Sequence, residues 1–199
     1  ANAFFTAGQV LFEIPTGIVA DTVGRRASYL LGSATLLVTT IIYLGLWKMH
    51  SPFAAWALTS VLLGLGFTFF SGAVEAWLVD ALESAGYKGA LEDVFARGQI
   101  ANGIAMLTGA TLGGVVAQMT NLGVPYLIRS AILLMSFAAA WMLMHDEGFT
   151  PRKGGSIIGE IKSIFRSSIE VGLVNRPVRW MMLIAPVVSG VEIYIFYAA

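Results

Sequence analysis

The sequence predicts an all-α fold, a polytopic helical bundle embedded in a membrane, and three observations predict it. Of the 199 residues, 57% are hydrophobic and only 12% are charged, about half the charge of a typical soluble domain. Mean hydropathy is +0.77, and a chain this short cannot cover so much apolar surface with a polar exterior. The apolar residues also fall in uncharged runs of the length, about 20 residues, that a helix needs to cross a bilayer. A membrane barrel would show alternation and frequent turns instead.

The same numbers exclude several functions. A water-soluble enzyme does not fit this composition, and disorder needs low hydrophobicity with high net charge. Lysine plus arginine equals aspartate plus glutamate at 12 each, so the basic face that a nucleic acid requires is not expected. With no cysteine, disulfides, thiol catalysis and zinc–thiolate sites are out. His50 and His145 are far apart and read as helix-end residues. No phosphate loop, metal spacing or nucleophile–base pair is found, so the chain is read as no enzyme, with neither cofactor nor metal.

The elements follow in order. Residues 3–20 form a first apolar run, closed by Asp21. Tyr29–Trp47 form a second, without a charge. A third starts near Phe53, stays uncharged to Val74 and continues as one helix through Glu75 and Asp80. The fourth lies within 98–128. The fifth runs from about Pro125 to Met144 and carries Arg129 near its start. The segment 146–176 is the one long polar stretch. In it Ile157, Ile158, Ile161, Ile164, Phe165 and Ile169 form an apolar stripe, predicting an amphipathic helix on the membrane surface. A last span starts at Pro177 and includes Glu192. The expected division is a bundle over 1–145, a loop over 146–176 and the start of another bundle over 177–199.

Lysine and arginine placement sets the orientation. With the Asp21–Arg26 loop in the cytoplasm, every lysine and arginine except Lys48 and Arg129 falls inside. An integral protein of the plasma or inner membrane is therefore expected, with the bilayer as its surroundings. The chain opens on Ala1 inside an apolar stretch with no basic region before it. It is accordingly read as part of a longer protein rather than as starting with a signal peptide.

Between the first two spans stands Gly17-Ile-Val-Ala-Asp21-Thr-Val-Gly24-Arg25-Arg26. A tight turn between antiparallel helices calls for Gly17 and Gly24. Asp21 closes one helix, and Arg25 and Arg26 open the next, where they can pair with acids or phospholipid headgroups. In residue types, spacing and sidedness this loop resembles the signature of the major facilitator superfamily. The preceding Glu13-Ile-Pro-Thr-Gly17 is similar to a helix-two ending in that superfamily. The resemblance covers the whole chain, as helices two to seven of an incomplete bundle of that type. It implies secondary active transport of a small molecule by alternating access, with a full-length monomer as the working unit, protons as the coupling ion and efflux as one direction. It also implies that Asp21 and its loop hold the inner gate shut, joined by Asp80. A non-transporting receptor or chaperone of the same fold is the alternative.

Acids at membrane depth usually face protein or a water-filled pathway. Glu75 lies five residues before Asp80, so the two point about 140° apart on one helix and lie about 7–8 Å apart in depth. In a helix that the resemblance places on the central cavity, Glu75 is the leading ion or substrate contact. Glu13, Glu192 and Arg129 follow as candidates, Arg129 also being placed to snorkel to the outer interface. In the fourth span Ala101, Ala105, Gly109, Gly113 and Ala117 keep a four-residue spacing that would let another helix approach closely. Gly109-Ala-Thr-Leu-Gly113-Gly114 is similar to the helix-five motif of drug–proton antiporters, with Ala110 in place of its proline. Thr68 stands where the helix-four motif of those proteins has arginine.

Overall fold

A computed structural model describes residues 2–146, 148 and 149, together with scattered positions between 159 and 184. The amphipathic stripe of 157–169, Glu192 and most of the last span lie outside the described residues. The chain divides into two compact units, Ala1–Lys153 and Gly154–Ala199.

Among the described residues, the first unit has six helices: α1 (Asn2–Thr22), α2 (Arg25–Lys48), α3 (Phe53–Thr68), α4 (Ala73–Ser84), α5 (Leu91–Met119) and α6 (Gly123–Leu143). Counting α3 and α4 together, five segments among the described residues are long and apolar enough to span a membrane. The chain is an all-helical membrane bundle.

Its interior is that of a protein folded in lipid. The largest fully buried side chains are Thr39, Thr40, Thr68, Ser28, Ser33 and Ser60, while Val10, Leu11, Leu58 and Met119 stand outside. Lipid tails are as apolar as leucine, so bulky side chains gain nothing by turning inward. Helices associate instead through small residues that bring backbones close. Gly8 and Gly64 do this between α1 and α3. A Cβ on Gly8 would sit 2.5 Å from the Val61 carbonyl oxygen, and one on Gly64 would collide with the backbone of Phe5. Hydroxyls bind the rest. Tyr43 pairs with Ser60 across α2 and α3 at 2.8 Å, and Tyr29 with Ser136 across α2 and α6 at 2.8 Å.

The third span is not one helix. It breaks at Phe69–Gly72, where Gly72 adopts the left-handed conformation at φ 69°. A break inside hydrocarbon frees carbonyls that no water can reach, and they must be bonded within the protein. Two hydroxyls from neighbouring helices do so. Thr16 of α1 donates to the Thr68 carbonyl at 3.2 Å, and Ser28 of α2 donates to the Phe69 carbonyl at 2.8 Å. Both residues are buried. Glu75 and Asp80 thus ride on a short separate helix, α4.

Helix α5 differs from the others in having no buried residue. A Cβ on Gly109, Gly113 or Gly114 would meet nothing within 4 Å. Among the described residues, the close approach expected along this stripe is not made.

Candidate functional site: a charge cluster and a carboxylate cleft

The α1–α2 connection consists of Val23 and Gly24 alone. Gly24 is buried with φ 131°, a conformation open to glycine and costly for other residues. The turn leaves Asp21 and Arg25 one helical step apart, and their side chains form an ion pair. The same guanidinium lies 3.9 Å from an Asp80 carboxylate oxygen. Arg25 is therefore placed between an acid on α1 and an acid on α4. Its side chain is 19% exposed, against 40% for Asp21 and 30% for Asp80. Partly exposed pairs of this kind contribute about 0.2–1 kcal/mol each. Such a cluster orders the loop without locking it.

Arg26 turns elsewhere. It donates to the Trp141 carbonyl at 2.6 Å, and its guanidinium stands 5.2 Å from the centre of the Trp141 ring. Gly17, by contrast, makes no close approach, since a Cβ there meets open space. It lies within α1, more than a turn before the connection, so the bend rests on Gly24.

Glu75 opens on a different surface. With Phe70, Ser71, Gly72, Phe95, Gln99 and Asn102 it lines a cleft of about 600 Å³ between the broken third span and α5. Its side chain is exposed there rather than enclosed. Sequence reasoning missed Gln99 and Asn102. Their signal was present, as two amides three residues apart at the start of an otherwise uncharged span. Amides beside a carboxylate and two aromatic rings can bind a small molecule that carries a hydrogen-bonding or cationic group on an apolar body.

Arg129 lines a second cavity of about 640 Å³ with Gly109, Gly113, Leu112 and Ile132, between α5 and α6. Glu13 is exposed on α1. Asp21, Gly24, Arg25 and Asp80 are thus brought together at one end of the bundle. Glu75 and Arg129 occupy separate cavities.

These features, a charged turn between two spans and an acid-bearing broken helix, call for comparison with known families. The sequence model of the Major Facilitator Superfamily matches residues 1–199. The chain belongs to the major facilitator superfamily. Comparison with curated proteins and with solved structures returned no match. A superfamily member with five segments among its described residues long and apolar enough to cross a membrane is an integral membrane protein and a transporter of the major facilitator type. Members bind small-molecule substrates and are generally not enzymes.

Proposed function

We propose that this major facilitator transporter is a secondary active carrier of a small amphipathic molecule, coupled to protons and working in the plasma or inner membrane. Its signature loop faces the cytoplasm. Two helical bundles rock about a midplane site and expose it to each side in turn. Residues 1–145 supply most of one bundle, 146–176 the loop between the bundles and 177–199 the start of the second. The Asp21–Arg25–Asp80 cluster holds the inner side shut. Glu75, with Gln99 and Asn102, contacts the ion or the substrate. Efflux is the direction favoured by an apolar cleft bearing one carboxylate, which suits molecules that partition into lipid.

The observation that carries this reading is Arg25 held between Asp21 and Asp80. Three charges from three segments at one end of the bundle can bind or separate as helices tilt. An isolated topology anchor would need no acidic partners.

Transport by the protein in proteoliposomes tests it, using tetraphenylphosphonium, a sugar and a monocarboxylate as probes, with and without a pH gradient. Asp21→Asn and Glu75→Gln are expected to lower the flux of the transported probe at least tenfold, while the protein remains monodisperse. Flux untouched by both changes would remove the roles given to these residues. Binding without flux of any probe would favour the receptor reading.

A further inference from the structure

Helix α2 begins under unfavourable conditions. Its first two residues are Arg25 and Arg26, its first turn holds no acid, and its N-cap is Gly24, which has no side chain to bond the open amides. Two cations at the positive end of a helix dipole repel it, and the missing cap leaves amide donors without partners. Asp21 pairs with Arg25, but no neighbouring side chain caps the open amides. The cap comes from 120 residues away.

We infer that Asp146 is a positioning residue for the signature loop, capping α2 in place of the side chain that Gly24 lacks and tethering the start of the central linker to the gate. One Asp146 carboxylate oxygen accepts the Arg26 amide N–H at 2.8 Å. The carboxylate occupies the space where a Cβ on Gly24 would point, its Cγ lying 3.3 Å from that position. Gly24 is thus required twice, by its φ and by the anion packed on it. The residues around Asp146 follow it onto the same end of the bundle. The His145 carbonyl accepts the Trp77 indole N–H at 2.8 Å. A Cβ on Gly148 would lie 3.1 Å from the Asp80 carbonyl oxygen. The Phe149 ring centre is 5.7 Å from the Arg25 guanidinium. The linker therefore touches α2 and α4, and Arg25 meets Phe149 as well as Asp21 and Asp80. A negative charge over the α2 terminus also offsets Arg25 and Arg26, so the loop can carry two cations and still start a helix. That the loop gates transport rests on the reading above; the tether itself does not.

Two chemical probes test the tether without calling on transport. The chain has no cysteine, so Met144→Cys supplies a single thiol at a position only 7% exposed. Maleimide labelling of that thiol reports whether the linker is docked. Phenylglyoxal modification of Arg25, read by mass spectrometry, reports whether the loop is held. Asp146→Ala is expected to raise both rates about fivefold, the shift that corresponds to a lost N-cap. Asp146→Asn keeps the acceptor but loses the charge, and should restore the maleimide rate more fully than the phenylglyoxal rate. Gly24→Ala, which displaces the carboxylate without altering it, should reproduce the Asp146→Ala result. Rates unchanged in Asp146→Ala would overturn the inference, as would a rise that Asp146→Asn does not reduce. Raised rates beside transport that is indifferent to Asp21→Asn would support the tether and remove the gating reading alone.

Discussion

Helices α1 and α5 both place glycines inside a span, yet the structure treats them in opposite ways. On α1, Gly8 meets the backbone of α3 at contact distance. On α5, Gly109 and Gly113 meet nothing, and no residue of the helix is buried. A small-residue stripe is therefore a permission and not a contact. What turns it into a seam is a matching partner, here Gly64 on α3, with a hydroxyl beside it that bonds across. Thr16 of α1 supplies it, donating to the Thr68 backbone carbonyl of α3.

The sharpest way to break this contrast is to enlarge the seam glycines. Gly64→Leu has backbone on the other side and nowhere to move, so it should cost about 3 kcal/mol, seen as a large drop in melting temperature by scanning fluorimetry in detergent. Ser28→Ala comes next. It strands the Phe69 carbonyl at the helix break and should cost about 1–3 kcal/mol, with Ser28→Thr recovering part of the loss. The smallest effect belongs to Gly113→Leu, which should lie within about 0.5 kcal/mol, because the new side chain enters open space. A cost for Gly113→Leu equal to that of Gly64→Leu would end the comparison and place a packed surface on α5.

The sequence revealed the spans because hydrocarbon thickness sets a length that any uncharged run displays. It revealed the charge cluster because Asp21, Gly24 and Arg25 lie within one short turn, and because Asp80 closes its span from the same side. The break at Phe69–Gly72 was hidden. Phe67, Thr68, Phe69, Phe70 and Ser71 continue an apolar run, and the hydroxyls that make a break affordable come from Thr16 and Ser28, on other helices. Asp146 was hidden for the same reason. Read along the chain it begins a polar loop, and only the fold places it over Gly24. Gln99 and Asn102 were visible, but amides in a long uncharged stretch carry no motif. Close approach at Gly17 was expected from the turn, whereas Gly24 alone makes the bend.

The interruption in the third span also bears on how such a protein can diverge. In an unbroken helix, adding or losing one residue rotates everything beyond it by about 100°, which would swing Glu75 and Asp80 away from their surroundings. Phe69–Gly72 is irregular backbone whose freed carbonyls bond to side chains of other helices, so it can absorb such a change locally. The half of the span that packs against α1 and the half that carries the acids can then drift in length independently, one conserving the scaffold while the other is retuned.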